Sequence, residues 1–343
     1  MITPKTTNGL RICLIGTSNS IYKDGYAGAI ANDHRVASFS KFSMGASPSV
    51  IIPHFGVDLD FSKFDCIIFE TAINDRNYYK YGSIRKDQIR QFIEWGVAEA
   101  QSAGCRVALL TMPSRRAMTG QTISGLIYQR IAAETGATIL DGFDFVRAFA
   151  AASETCPSDL FIDDFHIKKP VAWKLGTVLI DKIAGDVKNK MKRPTASHKF
   201  FKVETGDLSS ESLQRDNSLL SANFAVLKPG GAPLRLKARP GTSLVGVAYN
   251  AARSSGYLSI SSSGRRWVKD LTTKYTTSGR ELLLIAIPFT VDLTVGEDAE
   301  FRLECGNDLA APTEQSRFEA HAEVLSNERY LEISSLLFRS TKL

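Results

Sequence analysis

A serine, a histidine and an aspartate in this 343-residue chain have the types and spacing needed for nucleophilic catalysis. Asp163 precedes His166 by three residues, so on one turn its carboxylate can accept a hydrogen bond from Nδ1 of the imidazole. Nε2 of His166 is then free to act as a base. Ser18 follows the first apolar run, after Gly16 and Thr17, where it can present both a hydroxyl and a backbone N–H. Asp164 is the competing carboxylate, but it lies only two residues from His166 and has the poorer reach.

Two further loops contain groups that could stabilise a negatively charged oxygen. Gly45 lies in a run of small residues, and the absence of a side chain lets its backbone N–H approach a ligand closely. Asn74 follows another apolar run, and its side-chain amide could donate to the same oxygen. With the backbone N–H of Ser18, these groups complete a set for acyl transfer: nucleophile, base, orienting carboxylate and three oxyanion donors. Each loop alone is also ordinary turn chemistry, so the prediction rests on the combination.

In this order and spacing, the four segments resemble the motif blocks of the SGNH (GDSL-like) hydrolase superfamily. Ser18 matches the serine of block I, Gly45 the glycine of block II and Asn74 the asparagine of block III. Asp163 and His166 match the Asp-x-x-His of block V. The resemblance covers roughly the first 190 residues. It implies that Ser18, Asp163 and His166 are catalytic, that Ser18, Gly45 and Asn74 form the oxyanion hole, and that no metal or cofactor is needed.

The chain departs from the family pattern at two positions. Thr17 stands where the family has the aspartate of Gly-Asp-Ser, and Ala72 stands where block III has a glycine. Neither departure replaces a residue that does chemistry. Together they indicate a divergent branch and weaken any transfer of substrate class from the family.

The function that the resemblance implies is a serine esterase acting on a small acyl ester. The leading hypothesis for the substrate is an acetyl group on a carbohydrate or polysaccharide. Two alternatives remain open: an O-acyltransferase that passes the acyl group to a sugar hydroxyl, and a glycan-binding protein that has lost the activity. Arg76 beside the Asn74 loop, Tyr78 in a tyrosine-rich loop and Lys168 after the histidine could contact the substrate, although a surface role is the alternative for each.

The hydrophobic pattern indicates the elements that must position these residues. Short apolar, β-branched runs predict buried parallel strands at 10–15, 66–69, 106–112 and 138–140. Helical spacing of apolar residues predicts helices at 87–104 and after Pro170. This alternation predicts a mainly parallel sheet with helices on both faces and a site at the carboxyl ends of its strands. The resemblance adds that the sheet should be flavodoxin-like, in a three-layer α/β/α sandwich.

The pattern changes near residue 195. A basic, proline-containing stretch predicts a linker at 191–199, between a catalytic domain at 1–190 and a β-rich domain at 200–343. In the second part, short extended runs are separated by Gly and Pro turns, which favours an all-β sandwich or jelly roll, interpreted as carbohydrate-binding. Helical periodicity is not found before the last twenty residues.

Composition excludes several classes of protein. The hydrophobic fraction of 43% and the charged fraction of 23% exclude a disordered chain. The net charge of +6 is too diffuse to predict a nucleic-acid partner, and no apolar run is long enough to span a membrane. Five scattered cysteines favour a reducing compartment, and the first twenty residues are typical of a strand rather than a signal peptide. The expected location is therefore the cytoplasm, and the expected ligand is a glycan or small-molecule ester.

Overall fold

The chain folds into two compact units. The computed structural model describes residues 9–186, 196–217, 220–276, 278–296, 300–306, 313–314 and 329–341. The first unit contains the residues up to Asn77 together with Lys86–Ala196, and the second contains Tyr78–Arg85 together with the residues from Ser197 onward. The sequence analysis did not predict that Tyr78–Arg85 belongs to the second unit, because nothing in the local sequence marks a boundary there. The predicted linker at 191–199 lies mostly outside the described residues, and its last two residues already belong to a strand.

The first unit is built on a parallel sheet. Its strands are β1 (Leu10–Gly16), β2 (Val36–Ser43), β3 (Cys66–Glu70), β4 (Arg106–Thr111) and β5 (Thr138–Asp141). They lie in the order β2-β1-β3-β4-β5, and every pairing is parallel. This is the flavodoxin-like order, so the predicted α/β architecture is confirmed.

Helices cover both faces of this sheet. They are α1 (Tyr26–Asn32), α2 (Ile51–Gly56), α3 (Ala72–Lys80), α4 (Lys86–Ser102), α5 (Ile123–Thr135), α6 (Gly142–Ala152) and α7 (Lys169–Gly185). Alternate strand residues such as Ile12 and Ile68 pack with α1, α6 and α7 in one buried core. The intervening residues point to the opposite face, where a Cβ on Gly96 of α4 would lie 2.9 Å from the Phe69 ring. Glycine at position 96 therefore lets α4 lie directly on the sheet.

The edge strand β2 was not predicted. Its sequence, VASFSKFS, contains several polar residues, and only Val36 in it is fully buried. An edge strand pairs on one side only and is partly solvated, so it lacks the continuous apolar run that identified β1 and β3.

The second unit consists of two antiparallel sheets. Its strands are β6 (His198–Glu204), β7 (Ser212–Asp216), β8 (Ser221–Leu227), β9 (Leu234–Lys237), β10 (Ser243–Asn250), β11 (Tyr257–Ser262), β12 (Arg265–Asp270), β13 (Leu284–Thr294), β14 (Glu300–Gly306) and β15 (Leu331–Thr341). One sheet has the order β13-β10-β15-β8-β7, with β6 also paired to β15, and the other has the order β12-β11-β14-β9. The rings of Phe301 and Phe338 meet across the two sheets with centroids 5.7 Å apart. The predicted all-β class is thus confirmed.

The helical pattern suggested for the last twenty residues is wrong where the structure describes them. Leu331–Thr341 forms β15, and its residues 331–338 are all buried. A strand buried on both faces loses the alternation of polar and apolar residues, so periodicity alone cannot distinguish it from a buried helix. Within the described ranges, no helix combines the length and the hydropathy needed to cross a membrane.

Candidate active site

The polar residues singled out from the sequence lie on loops of the first unit. Ser18 begins a short 3₁₀ helix directly after β1, and Gly45 follows β2. Asn74 lies in the first turn of α3, immediately after β3. His166 lies in the loop before α7. Because the carboxyl ends of parallel strands meet at one edge of the sheet, the first three loops share that edge.

The structure brings Ser18, His166 and Asp163 into one hydrogen-bonded chain. Ser18 Oγ lies 2.9 Å from Nε2 of His166. On the other side of the ring, Nδ1 lies 2.8 Å from Oδ2 and 3.0 Å from Oδ1 of Asp163. This geometry allows the serine hydroxyl to pass its proton to the imidazole.

The ionisation of Asp163 determines the tautomer of His166. Partial burial alone would raise the pKa of Asp163, but hydrogen bonds from the backbone N–H of Phe165 and from His166 hold that pKa below its usual value. An ionised carboxylate can only accept hydrogen bonds, so Nδ1 must carry the proton. Nε2 is then unprotonated and accepts from Ser18.

Asp163 also organises the loop that carries the histidine. Its Oδ1 accepts hydrogen bonds from the backbone N–H groups of Phe165, at 2.7 Å, and His166, at 2.9 Å. The neighbouring Asp164 instead forms an ion pair with Arg116 at 2.6 Å. The two adjacent aspartates therefore have different partners, and the spacing argument selected the one that contacts the imidazole.

The three proposed oxyanion donors occupy adjoining positions. Ser18 is the first residue of its 3₁₀ helix, where a backbone N–H has no partner within the helix. A Cβ built on Gly45 would lie 3.9 Å from the Cβ of Ser18, so the two loops are in contact. Asn74 Nδ2 donates to the carbonyl of Ser47 at 3.0 Å, which ties the third loop to the second. A primary amide has two N–H groups, and this bond uses one of them.

The three residues predicted to contact the substrate, Arg76, Tyr78 and Lys168, lie in different environments. Tyr78 is only 2% exposed, which does not favour its ring as a surface for a sugar, and its role in substrate binding stays a prediction. Arg76 donates from Nη1 to Ser114 Oγ at 2.7 Å, which commits part of its guanidinium to the loop after β4. Lys168 is exposed at the start of α7 and borders an open depression of about 380 Å³.

The sequence analysis missed an aromatic neighbour of the histidine. The ring of Tyr22 meets the imidazole of His166 edge-on, with centroids 5.6 Å apart, and is itself 40% exposed. Phe165, next to His166, is 37% exposed. Exposed aromatic rings of this kind could pack against a substrate.

A buried carboxylate beneath the Ser18 loop was also missed. Glu70 ends β3 and has no solvent exposure. It accepts hydrogen bonds from the backbone N–H of Thr17 at 3.0 Å and from the Tyr26 hydroxyl at 3.1 Å. Burial raises the pKa of Glu70 to about 7, although these hydrogen bonds act in the opposite direction. An acidic residue closing an otherwise apolar strand was the sequence feature that could have identified it.

Asp75 is another fully buried carboxylate, and it lies next to the loops that contain Gly45 and Asn74. Its Oδ1 accepts from the backbone N–H of Ser49 at 2.7 Å, and its Oδ2 accepts from Thr71 Oγ1 at 2.9 Å. Burial raises the pKa of Asp75 to about 7. These contacts give Asp75 a structural role in this part of the site.

Comparison with known proteins identifies the fold. No protein-family model and no curated protein sequence matches the chain. Among solved structures, a two-domain esterase (CEX) active on acetylated mannans, co-crystallised with mannopentaose, matches with a TM-score of 0.66 at 15% identity. The match covers 98% of this chain and 92% of that chain. Another structure described as the same two-domain esterase matches with a TM-score of 0.64 at 13% identity, over 97% and 92% of the two chains. At these identities the similarity establishes the fold, and the predicted parallel α/β architecture with a β-rich second part is confirmed.

Proposed function

We propose that this protein is a serine esterase that removes acetyl groups from an acetylated polysaccharide. The proposal rests on one observation above all. Ser18 Oγ lies 2.9 Å from His166 Nε2, and Nδ1 of the same ring lies 2.8 Å from Asp163. The shared fold with an esterase active on acetylated mannans supports the same class of reaction.

In the acylation step, Ser18 Oγ attacks the ester carbonyl while its proton moves to Nε2 of His166. The ionised Asp163 stabilises the resulting imidazolium through its hydrogen bond to Nδ1. When the tetrahedral intermediate collapses, the bond between the carbonyl carbon and the sugar oxygen breaks. His166 returns the proton to that oxygen, leaving the sugar hydroxyl and an acyl-serine.

The negative charge that develops on the carbonyl oxygen needs fixed donors. The backbone N–H groups of Ser18 and Gly45 and the second amide N–H of Asn74 would fill this role. One such donor typically contributes about 3 kcal/mol to transition-state stabilisation. Because the bond from Asn74 to Ser47 holds the amide in place, little reorganisation is needed during the reaction.

In the second step water replaces the sugar as the nucleophile. The side chain of Asp163 is 51% exposed and that of His166 is 18% exposed, so water has access to the base. This access favours hydrolysis over transfer to a sugar hydroxyl, which requires water to be excluded. His166 would accept a proton from the water as its oxygen attacks the acyl carbon. The bond between that carbon and Ser18 Oγ then breaks, His166 returns the proton to Oγ, and acetate leaves.

Substrate recognition is proposed for exposed side chains near the histidine. Tyr22 and Phe165 offer aromatic surface to a sugar ring, and Lys168 offers a positive charge beside the same loop. Mannan is the first polysaccharide to test, because the two-domain esterase with this fold acts on acetylated mannans. A glycan-binding role is proposed for the second unit.

The deciding experiment measures acetate released from acetylated mannan, acetylated xylan and p-nitrophenyl acetate. We expect turnover with the wild type and none with Ser18→Ala. Ser62→Ala, at an exposed serine of the same unit, is the matched control and should retain wild-type rates. A fluorophosphonate probe should label the wild type at Ser18.

Two outcomes would favour the alternatives. Transfer of acetyl to added mannooligosaccharide at a rate exceeding acetate release would indicate an acyltransferase. Glycan binding without labelling or turnover would indicate a binding protein that has lost its activity.

A further inference from the structure

Glu70 is a fully buried acid that is surrounded by hydrogen-bond donors. Besides the Thr17 N–H and the Tyr26 hydroxyl, it accepts hydrogen bonds from Thr17 Oγ1, at 3.1 Å to Oε1 and 3.0 Å to Oε2. Among the residues that the structure describes, no cation forms an ion pair with it. Burying a carboxylate costs several kcal/mol unless hydrogen bonds compensate, and here the donors converge from two separate elements.

These bonds act on the residue that precedes the proposed nucleophile. The N–H of Thr17 is held by Glu70, and the carbonyl of Thr17 accepts from the backbone N–H of Ser20 at 3.0 Å and from Ser20 Oγ at 2.6 Å. Both peptide groups of Thr17 are therefore held, and the second one contains the backbone N–H of Ser18. The orientation of this peptide directs both the Ser18 side chain and its N–H.

We propose that Glu70 is a positioning residue, which holds the Thr17 peptide so that Ser18 Oγ stays within reach of His166 and the Ser18 N–H faces the oxyanion. The proposal rests on the proposed function through the role of Ser18 as nucleophile. Misplacing a reacting group by about 1 Å can lower a rate by roughly 100-fold, so a residue that touches no substrate can still control the rate.

The surroundings of Glu70 make this positioning depend on pH. The titratable groups that interact with Glu70 within the described ranges are Tyr26 on α1, Asp75 on α3 and Tyr128 on α5. Burial holds the phenol pKa values of Tyr26 and Tyr128 well above their usual value, so both tyrosines remain donors. Burial, with a smaller contribution from Asp75, raises the pKa of Glu70 to about 7. Below this pH Glu70 gains a proton, and one of its acceptor positions becomes a donor.

The test compares Glu70→Gln with the wild type on p-nitrophenyl acetate between about pH 5 and pH 9. Glutamine keeps the size of the side chain but places an NH₂ group where Thr17 or Tyr26 donates. We expect kcat to fall about 10- to 100-fold with little change in KM, and fluorophosphonate labelling of Ser18 to slow in proportion. The wild-type kcat profile should contain a step near pH 7 from the ionisation of Glu70, and Glu70→Gln should lack that step.

Two further variants separate positioning from a loss of folding. Thr17→Val keeps the shape and the backbone N–H but removes the Oγ1 donor, so kcat should fall and the acid side of the profile should move to higher pH. Thr17→Ser restores a hydroxyl and should recover most of the wild-type activity. Tyr26→Phe removes one donor to Glu70 without touching Thr17, and it should shift the pH profile while lowering kcat less than Thr17→Val does.

The results distinguish a failure of the positioning role of Glu70 from a failure of the proposed esterase function. Folded Glu70→Gln protein with the wild-type kcat and the wild-type pH profile overturns the positioning role and leaves the esterase intact. If Glu70→Gln does not fold, unchanged kinetics in Thr17→Val overturn the role instead. A wild type that neither turns over nor becomes labelled overturns both proposals.

Discussion

Two carboxylates are linked to the proposed nucleophile, Asp163 through His166 and Glu70 through Thr17, and their surroundings are opposite. Asp163 is half-exposed, and hydrogen bonds hold its pKa below the usual value despite partial burial. Glu70 has no exposure, and burial raises its pKa to about 7. In the proposed mechanism Asp163 must remain charged to stabilise an imidazolium, and a partly solvated position favours the charged form. The donors to Glu70 in the part of the chain that the structure describes are neutral, and they partly offset the cost of burying it.

The contrast predicts which side of the site is coupled to folding. A half-exposed carboxylate can be altered at little cost to stability, because solvent screens its interactions. A buried carboxylate with several donors cannot be altered so freely, because its removal leaves buried donors without partners. Changes on the Asp163 side should therefore affect the reaction alone, whereas changes on the Glu70 side should affect both the reaction and stability.

The largest effects are expected from His166→Ala and Ser18→Ala. Each should lower kcat by about 10⁴-fold or more, and the double variant should be scarcely worse, because the two residues act in one step. Steady-state kinetics on p-nitrophenyl acetate measures this. His34→Ala, at an exposed histidine, should retain wild-type activity. Normal turnover in folded His166→Ala protein would refute the proposed mechanism.

Asp163→Asn should cost slightly less. The amide can still contact Nδ1 but favours the wrong tautomer of His166, so kcat should fall by roughly 10³- to 10⁴-fold while the melting temperature changes little. Asp164→Asn is the matched control, because it loses an ion pair with Arg116 but no bond to the imidazole. Equal losses in the two variants would contradict the assignment of Asp163.

Asn74→Ala should have an intermediate effect. Removing one oxyanion donor should lower kcat by about 100-fold or more with little change in KM, since the contact is made in the transition state. Asn77→Ala, one turn further along α3, serves as the control and should leave kcat unchanged. A change confined to KM would instead place Asn74 in ground-state binding.

The smallest predicted effect concerns stability and pH. Because the pKa of Glu70 is about 7 in the folded protein and about 4.5 in the unfolded chain, the folded state binds more protons between these values. The contribution of Glu70 to stability should therefore fall as pH rises from about 4.5 to about 7, by an amount on the order of 3 kcal/mol. Urea denaturation at about pH 5 and pH 8 should show the combined contributions of Glu70 and Asp75 in the wild type, and a smaller difference in Glu70→Gln. Asp163→Asn should leave that window unchanged, because a lowered pKa acts only at more acidic pH; an equal change in both variants would refute the contrast.

Contacts between residues close together in the sequence could be predicted, whereas contacts between distant residues could not. Asp163 and His166 contact each other across three residues, so spacing alone favoured Asp163 over Asp164. Glu70 and Thr17 lie 53 positions apart in the sequence, and only the pairing of β1 with β3 brings them together. The burial of Tyr78 is likewise a tertiary effect, which its tyrosine-rich neighbourhood gave no means of predicting.

The same distinction holds for the fold. Strands β1 and β3 are buried on both faces, so their apolar runs identified them, and the βα alternation then indicated the parallel sheet. Strand β2 was missed because an edge position tolerates polar residues, and β15 showed no strand periodicity because both of its faces are buried. Local patterns therefore located the interior of the sheet and the Asp163–His166 loop, but not the elements that depend on distant partners.

The position of β15 has a consequence for synthesis on the ribosome. This strand pairs with β10, with β8 and, through Ser335 and Glu204, with β6 at the start of the second unit. All strands of the parallel sheet emerge early, and their order of translation allows that unit to fold while the rest is still being made. The large antiparallel sheet must wait for β15, so β6 and β8 remain without this shared neighbour until translation has passed Thr341. During this interval their open edges are exposed to pairing with other chains, and a slow ribosome or a missing β15 would favour aggregation of the second unit.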